Sequence, residues 1–129
     1  QAAGKCAMPI VNAVILGILC NLLVSTGVLL ASSAKDVAGR ILGAYVPVAV
    51  FVICGFEHCV ANLFYVPVGL FAKTVPAYAA LAAEAGVDLS ALTWGNFLLR
   101  ELLPVTAGNL LGGVGLGSLF WFCHREQNS

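Results

Sequence analysis

Glu57 and His58 stand side by side inside an apolar stretch, with Asn62 four residues after the histidine. Imidazole is the one side chain whose unperturbed pKa lies near neutrality, so His58 is read as a proton or hydrogen-bond donor along a pathway. Other polar groups interrupt apolar runs at Asn21, Thr106 and Asn109, and Lys5 lies at one end of such a run. Ionisable groups inside a bilayer are expensive, so each marks a functional candidate. Each also has a structural reading. Asn21 and Asn109 could bond helix to helix, Glu57 could satisfy amides at a chain break, and Lys5 could snorkel to the headgroups. Thr106 could reseat the carbonyl freed by Pro104, and His58 could fill a core.

These candidates need a membrane around them, and the composition supplies the argument. The chain has 129 residues, of which 60% are hydrophobic and 9% charged, with a mean hydropathy of +0.98. Soluble domains carry about a quarter charged residues. Six basic and six acidic residues balance, which leaves no global field for nucleic acid. The first apolar stretch follows Gln1 with no basic segment before it, so it is not read as a signal peptide. Five cysteines (Cys6, Cys20, Cys54, Cys59, Cys123) form no CxxC pair and are expected to act as small buried hydrophobes without disulfides. No metal or cofactor is expected.

Between charged residues run four apolar segments, Cys6 to Ala34, Ile41 to Phe56, Cys59 to Ala72 and Leu102 to Cys123. A bilayer core of ~30 Å needs ~20 apolar residues, which the first and fourth provide and the middle two do not. Joined, residues 41 to 72 are too long for one straight span and carry Glu57 and His58 at their centre, with Gly55 before and Pro67 after. The pattern predicts a broken helix whose non-helical backbone lines a polar cavity or is buried in protein. The expected order is a span over 9–32, a polar turn at 33–36, a broken helix over 37–71 interrupted near 55–62, and a final helix over 96–123 kinked at Pro104. The connection holds an Ala-rich surface helix from Pro76 to Ala85 stopped by Gly86, and the tail from His124 to Gln127 is polar. All 129 residues belong to one membrane domain, all-α in class.

Gly108-x-x-x-Gly112 and Gly113-x-x-x-Gly117 let helix backbones approach closely. The positive charges divide evenly between the two membrane sides, so only the short turn holding Lys35 and Arg40 favours that side as cytoplasmic.

The segment Gly55-Phe56-Glu57-His58-Cys59-Val60-Ala61-Asn62, followed by Pro67, resembles the broken fifth helix of the formate/nitrite transporter family. Leu103-Pro104-Val105-Thr106-Ala107-Gly108-Asn109-Leu110-Leu111-Gly112-Gly113 resembles its sixth-helix signature, and Gly17-Ile18-Leu19-Cys20-Asn21-Leu22-Leu23-Val24 its fourth. Lys5 falls at the spacing of the family's lysine.

The resemblance implies an aquaporin-like protomer of two inverted three-helix repeats within a homopentamer, of which this chain carries the second repeat, helices four to six. By that resemblance the first, N-terminal half is missing, so the chain is expected to be a fragment or split product or to have that half supplied by another chain, since three helices alone cannot enclose a pore. By the same resemblance His58 is the central pore histidine, while Glu57 and Asn21 position Lys5 or the broken-helix loop. Phe51 then belongs to one constriction and Val24 to the other, and Asn62, Asn109 and Thr106 are polar positions near the break. Family members often have asparagine at position 101; Glu101 is read as a local ion pair with Arg100. The implied setting is a lipid bilayer, most simply a bacterial inner membrane.

The implied activity is passage of a small monovalent anion between two dry constrictions, by channel flow or with a proton. Apolar rings reject a hydrated ion because unpaired charge in low dielectric is costly. Lys5 and the half-helix end attract the anion, and His58 lends it a proton or strong hydrogen bond. Formate is the first expectation, with nitrite, hydrosulfide and lactate behind it. Two other classes compete: a structural subunit in which His58 only fills a core, and an intramembrane enzyme. The enzyme reading lacks a nucleophile with its base, since Cys59 and His58 are adjacent and point apart on a helix and His124 lies in the tail.

Overall fold

A computed structural model describes residues 1–125, and the end of the polar tail lies outside the described residues. The described chain is helical with no strand. It runs α1 (Ala2–Cys6), α2 (Ile10–Ser33), α3 (Val37–Ile53), α4 (Cys59–Ala72), α5 (Pro76–Glu84) and α6 (Trp94–Arg125).

Helix α2 has 24 residues, a length of roughly 36 Å at ~1.5 Å per residue, enough to cross the hydrocarbon layer. Helices α2 and α6 are both long and apolar enough to span, whereas α3 is a shorter apolar helix. The polar turn after α2 ends in a cap: Asp36 Oδ1 accepts the N–H of Gly39 at 2.8 Å and starts α3.

The expected break falls between Ile53 and Cys59. Gly55 lies there at φ +68°, a left-handed conformation that a residue with a Cβ adopts only with strain. Pro67, by contrast, lies within α4, and Pro47 within α3. Helix α5 occupies the Ala-rich stretch and Gly86, at φ +68°, follows its end. It leaves α4 at a bend of 101°.

The last helix differs from a simple proline kink. Thr93 caps its start by accepting the N–H of Asn96 at 3.2 Å. A π-helical turn over Phe97–Leu102 then precedes Pro104, and regular α-helix continues from Leu103 to Arg125. Proline lacks an N–H and its ring would strike the carbonyl of Arg100 in α geometry; the wider turn accommodates it.

Helix α2 is sandwiched between α3 and the α-helical part of α6. Its contact with α6 is close enough that a Cβ on Gly108 or Gly112 would collide with the carbonyls of Val14 and Ile18. Such small-residue contacts hold helices together in lipid, where burial of apolar surface gives little drive. A separate core of Ala3, Cys6, Val66, Leu70, Leu92 and Phe97 packs α1 and α4 onto the start of α6. Cys6 and Cys20 are buried as expected, whereas Cys54 and Cys123 are exposed; all five thiols are free.

Candidate functional site

The break between α3 and α4 is pinned by α2 and α6. The Glu57 N–H reaches the carbonyl of Leu16 on α2 at 3.4 Å. Asn109 of α6 binds the break most extensively: its Nδ2 donates to the carbonyls of Glu57 and Gly17, both at 2.9 Å, and its Oδ1 accepts the N–H of Cys59 at 3.0 Å. Asn21 donates to the main-chain carbonyl of Asn109. Asn21 therefore acts on the break at one remove and does not bond Lys5.

His58 is the N-cap of α4. Its Nδ1 accepts the N–H of Val60 at 3.2 Å, so in the neutral ring the proton sits on Nε2. Phe51 stacks on the imidazole with ring centroids 5.9 Å apart and planes at 27°. The first two amides of α4 are thus occupied by Asn109 and His58. What the helix start offers an anion is its dipole rather than those two N–H groups.

Beside the histidine lies a buried polar cluster. Lys5 Nζ is 2.6 Å from Glu57 Oε2, and Asn62 Nδ2 donates to the same oxygen at 2.7 Å. Asn62 Nδ2 also donates to Glu101 Oε1. Glu57, Asn62 and Glu101 are each no more than 3% exposed, so this is a desolvated network in which unpaired charge would be severely penalised. Lys5 is half-buried and ion-paired with Glu57 rather than snorkelling to the headgroups.

Glu101 corrects the sequence reading. It does not pair with Arg100, which is exposed; it points inward at Asn62. Adjacent helical residues diverge, while Glu101 shares a buried stripe with Phe97, Val105, Gly108 and Gly112. That spacing of three and four was the signal available in the sequence.

Lys5, Phe51, Glu57, His58 and Asn62 line one open cavity of about 370 Å³, together with Tyr65. Val24 is not among them. It lines a different cavity of about 550 Å³ with Gly27, Arg40 and Val48. Thr106 is exposed and stays outside the cluster. Among the described residues no group of three His, Cys, Asp or Glu side chains is placed to hold a metal.

The sequence model described as formate/nitrite transporter matches residues 1–123. The chain is 36% identical over 121 residues to the formate channel FocA of Escherichia coli (strain K12), covering 92% of this chain and 42% of that protein. It is 37% identical over 109 residues to a probable formate transporter of Methanothermobacter thermautotrophicus, covering 84% and 34%. A solved structure described as a pentameric formate channel with formate bound aligns with a TM-score of 0.80 at 34% identity, covering 95% of this chain and 49% of that one. The chain thus spans half or less of the length of the proteins it matches.

Proposed function

The chain belongs to the formate/nitrite transporter family, and on that premise we propose that it forms the C-terminal half of a protomer that passes small monovalent anions, formate first, across a bacterial inner membrane. The N-terminal half of the same fold completes the pore, and five protomers assemble, as in the pentameric channel this chain resembles.

One observation carries the reading most directly. The cap bond from Val60 to His58 Nδ1 leaves Nε2–H as the donor, on a side chain that lines the cavity beside Phe51. An anion entering between apolar walls loses water, and a bare charge there is strongly disfavoured. A hydrogen bond or a proton from Nε2 relieves that cost, since a weak acid passes as its neutral form. Phe51, stacked on the ring, holds the imidazole orientation and keeps water off one face. Lys5 and Glu57 neutralise one another and fix the loop that carries His58, while Asn21, Asn62 and Asn109 tie that loop to its neighbours. Val24 belongs to the second constriction.

The test is uptake of labelled formate, nitrite, hydrosulfide and lactate into liposomes bearing the full-length protein, over a pH series, with and without His58→Phe. Flux that selects formate and follows pH through the imidazole range, with both features altered in His58→Phe, supports the reading. Selection of another of these anions reassigns the substrate. Flux of none leaves a structural subunit, and flux indifferent to His58 keeps the pore but removes the histidine from its mechanism.

A further inference from the structure

Among the described residues, two buried polar atoms near the cavity have no hydrogen-bond partner: Asn62 Oδ1 and Glu101 Oε2. Both residues are almost wholly enclosed, at 1% and 2% exposure. A buried acceptor left without a donor is costly, and more so when the group is charged. These two orphans are not independent. They belong to an amide and a carboxyl already joined by the bond from Asn62 Nδ2 to Glu101 Oε1. Each group is planar, and each has one partnered and one unpartnered edge atom.

Two acceptors cannot satisfy one another, but one proton between them satisfies both. We propose that Glu101 carries a proton on Oε2 and donates it to Asn62 Oδ1, closing a paired acid–amide ring that fixes Asn62 against the Lys5–Glu57 pair. The ring uses one hydrogen of the Asn62 amide. The other remains for Glu57 Oε2 at 2.7 Å, where Lys5 Nζ also binds. All hydrogens of the Asn62 amide are then used, and every acceptor of Asn62 and Glu101 has a donor.

The charges lead to the same result. The groups that act electrostatically on Glu101 are Glu57 and Lys5, with the Cys6 thiol nearby. One ammonium faces two carboxyl groups and bonds only Glu57. With Glu101 ionised, the enclosed cluster would hold two anions to one cation in a setting where an uncompensated charge is strongly disfavoured. With Glu101 neutral, its net charge is zero. Resting on the anion-pore reading, this has a functional meaning: a neutral cluster behind the cavity does not repel the anion that His58 receives. The residue is a positioning group and touches no substrate.

The test is infrared difference spectroscopy of the full-length protein in liposomes near neutral pH, comparing wild type with Glu101→Gln and repeating in heavy water. The expected result is a carboxylic-acid carbonyl band that shifts on deuteration and is absent from Glu101→Gln. Thermal melting of the assembly supplies the second measurement. Glu101→Leu, which removes both ring bonds, lowers the melting temperature, and Glu101→Gln, whose amide can form both, recovers most of it. Absence of the acid band overturns the proposal, and a buried water bridging the two atoms gives that outcome. Equal losses in Gln and Leu also overturn it. Failure of all anion flux in wild type would refute the pore reading, and the infrared band would still decide whether Glu101 holds the proton.

Discussion

The side-chain oxygen of Asn109 accepts the N–H of Cys59 at 3.0 Å, so the second half of the broken helix is capped from another helix. The same side chain donates to the carbonyls of Glu57 and Gly17. Asn109→Ala leaves the Cys59 N–H and the Glu57 carbonyl without a partner, while the Gly17 carbonyl keeps its bond within α2, at about 1–3 kcal/mol for each group left unmade. We expect a clear fall in the melting temperature of the detergent-solubilised assembly together with lost flux. Asn109→Asp keeps the acceptor for Cys59 and loses both donations, so it should fall between. Equal melting of Asn109→Ala and wild type would show that the break is held by something else.

Much of this arrangement was legible in the residues. Glu57-His58 next to Gly55 within an apolar stretch located the break, because a polar pair there requires non-helical backbone. The Ala-rich helix and its glycine stop, the capped turn at Asp36 and the two spanning helices follow local rules of length and capping. Partner choice was less legible. Nothing local to Asn21 says that it bonds the main chain of Asn109, 88 residues away, and nothing local to Lys5 says that it finds Glu57. Arg100 beside Glu101 suggests an ion pair, whereas the buried helical stripe that Glu101 shares turns its carboxyl inward.

The Lys5–Glu57 pair gives a double-mutant test. Removing one partner of a buried pair strands the other, at about 3–5 kcal/mol, reduced here because Lys5 remains partly exposed. Lys5→Met and Glu57→Gln should each lower the melting temperature, and the double variant should be less damaging than the sum of the two. Coupling of about 1–3 kcal/mol is the range for contacting residues. Strict additivity would mean that the pair contributes nothing to the fold.

The approach of α2 to α6 makes Gly108 and Gly112 intolerant of any side chain. A Cβ at either position overlaps a backbone carbonyl of α2, which cannot rotate away as a side chain can. Gly108→Ala should separate the helices and cost about 1–3 kcal/mol or more as overpacking. Gly113→Ala meets the Asn21 amide instead, at 2.6 Å. Its effect should appear through the Asn21 bond to Asn109, so combining it with Asn21→Ala should add less than either change alone. Melting temperatures of the single and double variants check both statements.

In the loop after α5, Asp88 accepts the N–H and the hydroxyl of Ser90, each at 2.8 Å. The Ser90 N–H and then its hydroxyl hold the Asp88 carboxyl below its ordinary value, with Lys73 acting in the same direction. A carboxyl depressed in the folded chain contributes stability above its unfolded pKa, and that contribution fades as pH falls through the folded value. Ser90→Ala should move the Asp88 titration upward in carbon-detected NMR. Lys73 Nζ donates to the carbonyls of Leu89 at 2.9 Å and Leu92 at 3.0 Å, so Lys73→Met should also loosen this loop and raise its amide exchange.

His58 has two separable tasks, and one substitution divides them. As an N-cap it satisfies the N–H of Val60, and as an imidazole it presents a titratable donor to the cavity. Asparagine is among the best N-caps, while alanine costs about 1 kcal/mol at such a position. His58→Asn should therefore melt close to wild type, and His58→Ala below it. Both remove the imidazole, so both should lose the wild-type dependence of formate flux on pH. A His58→Asn protein that kept the wild-type pH profile would move the proton-handling role to another side chain of the cavity. A His58→Asn protein that melted as low as His58→Ala would show that the imidazole stabilises the break through its stacking on Phe51, 5.9 Å away, more than through the cap.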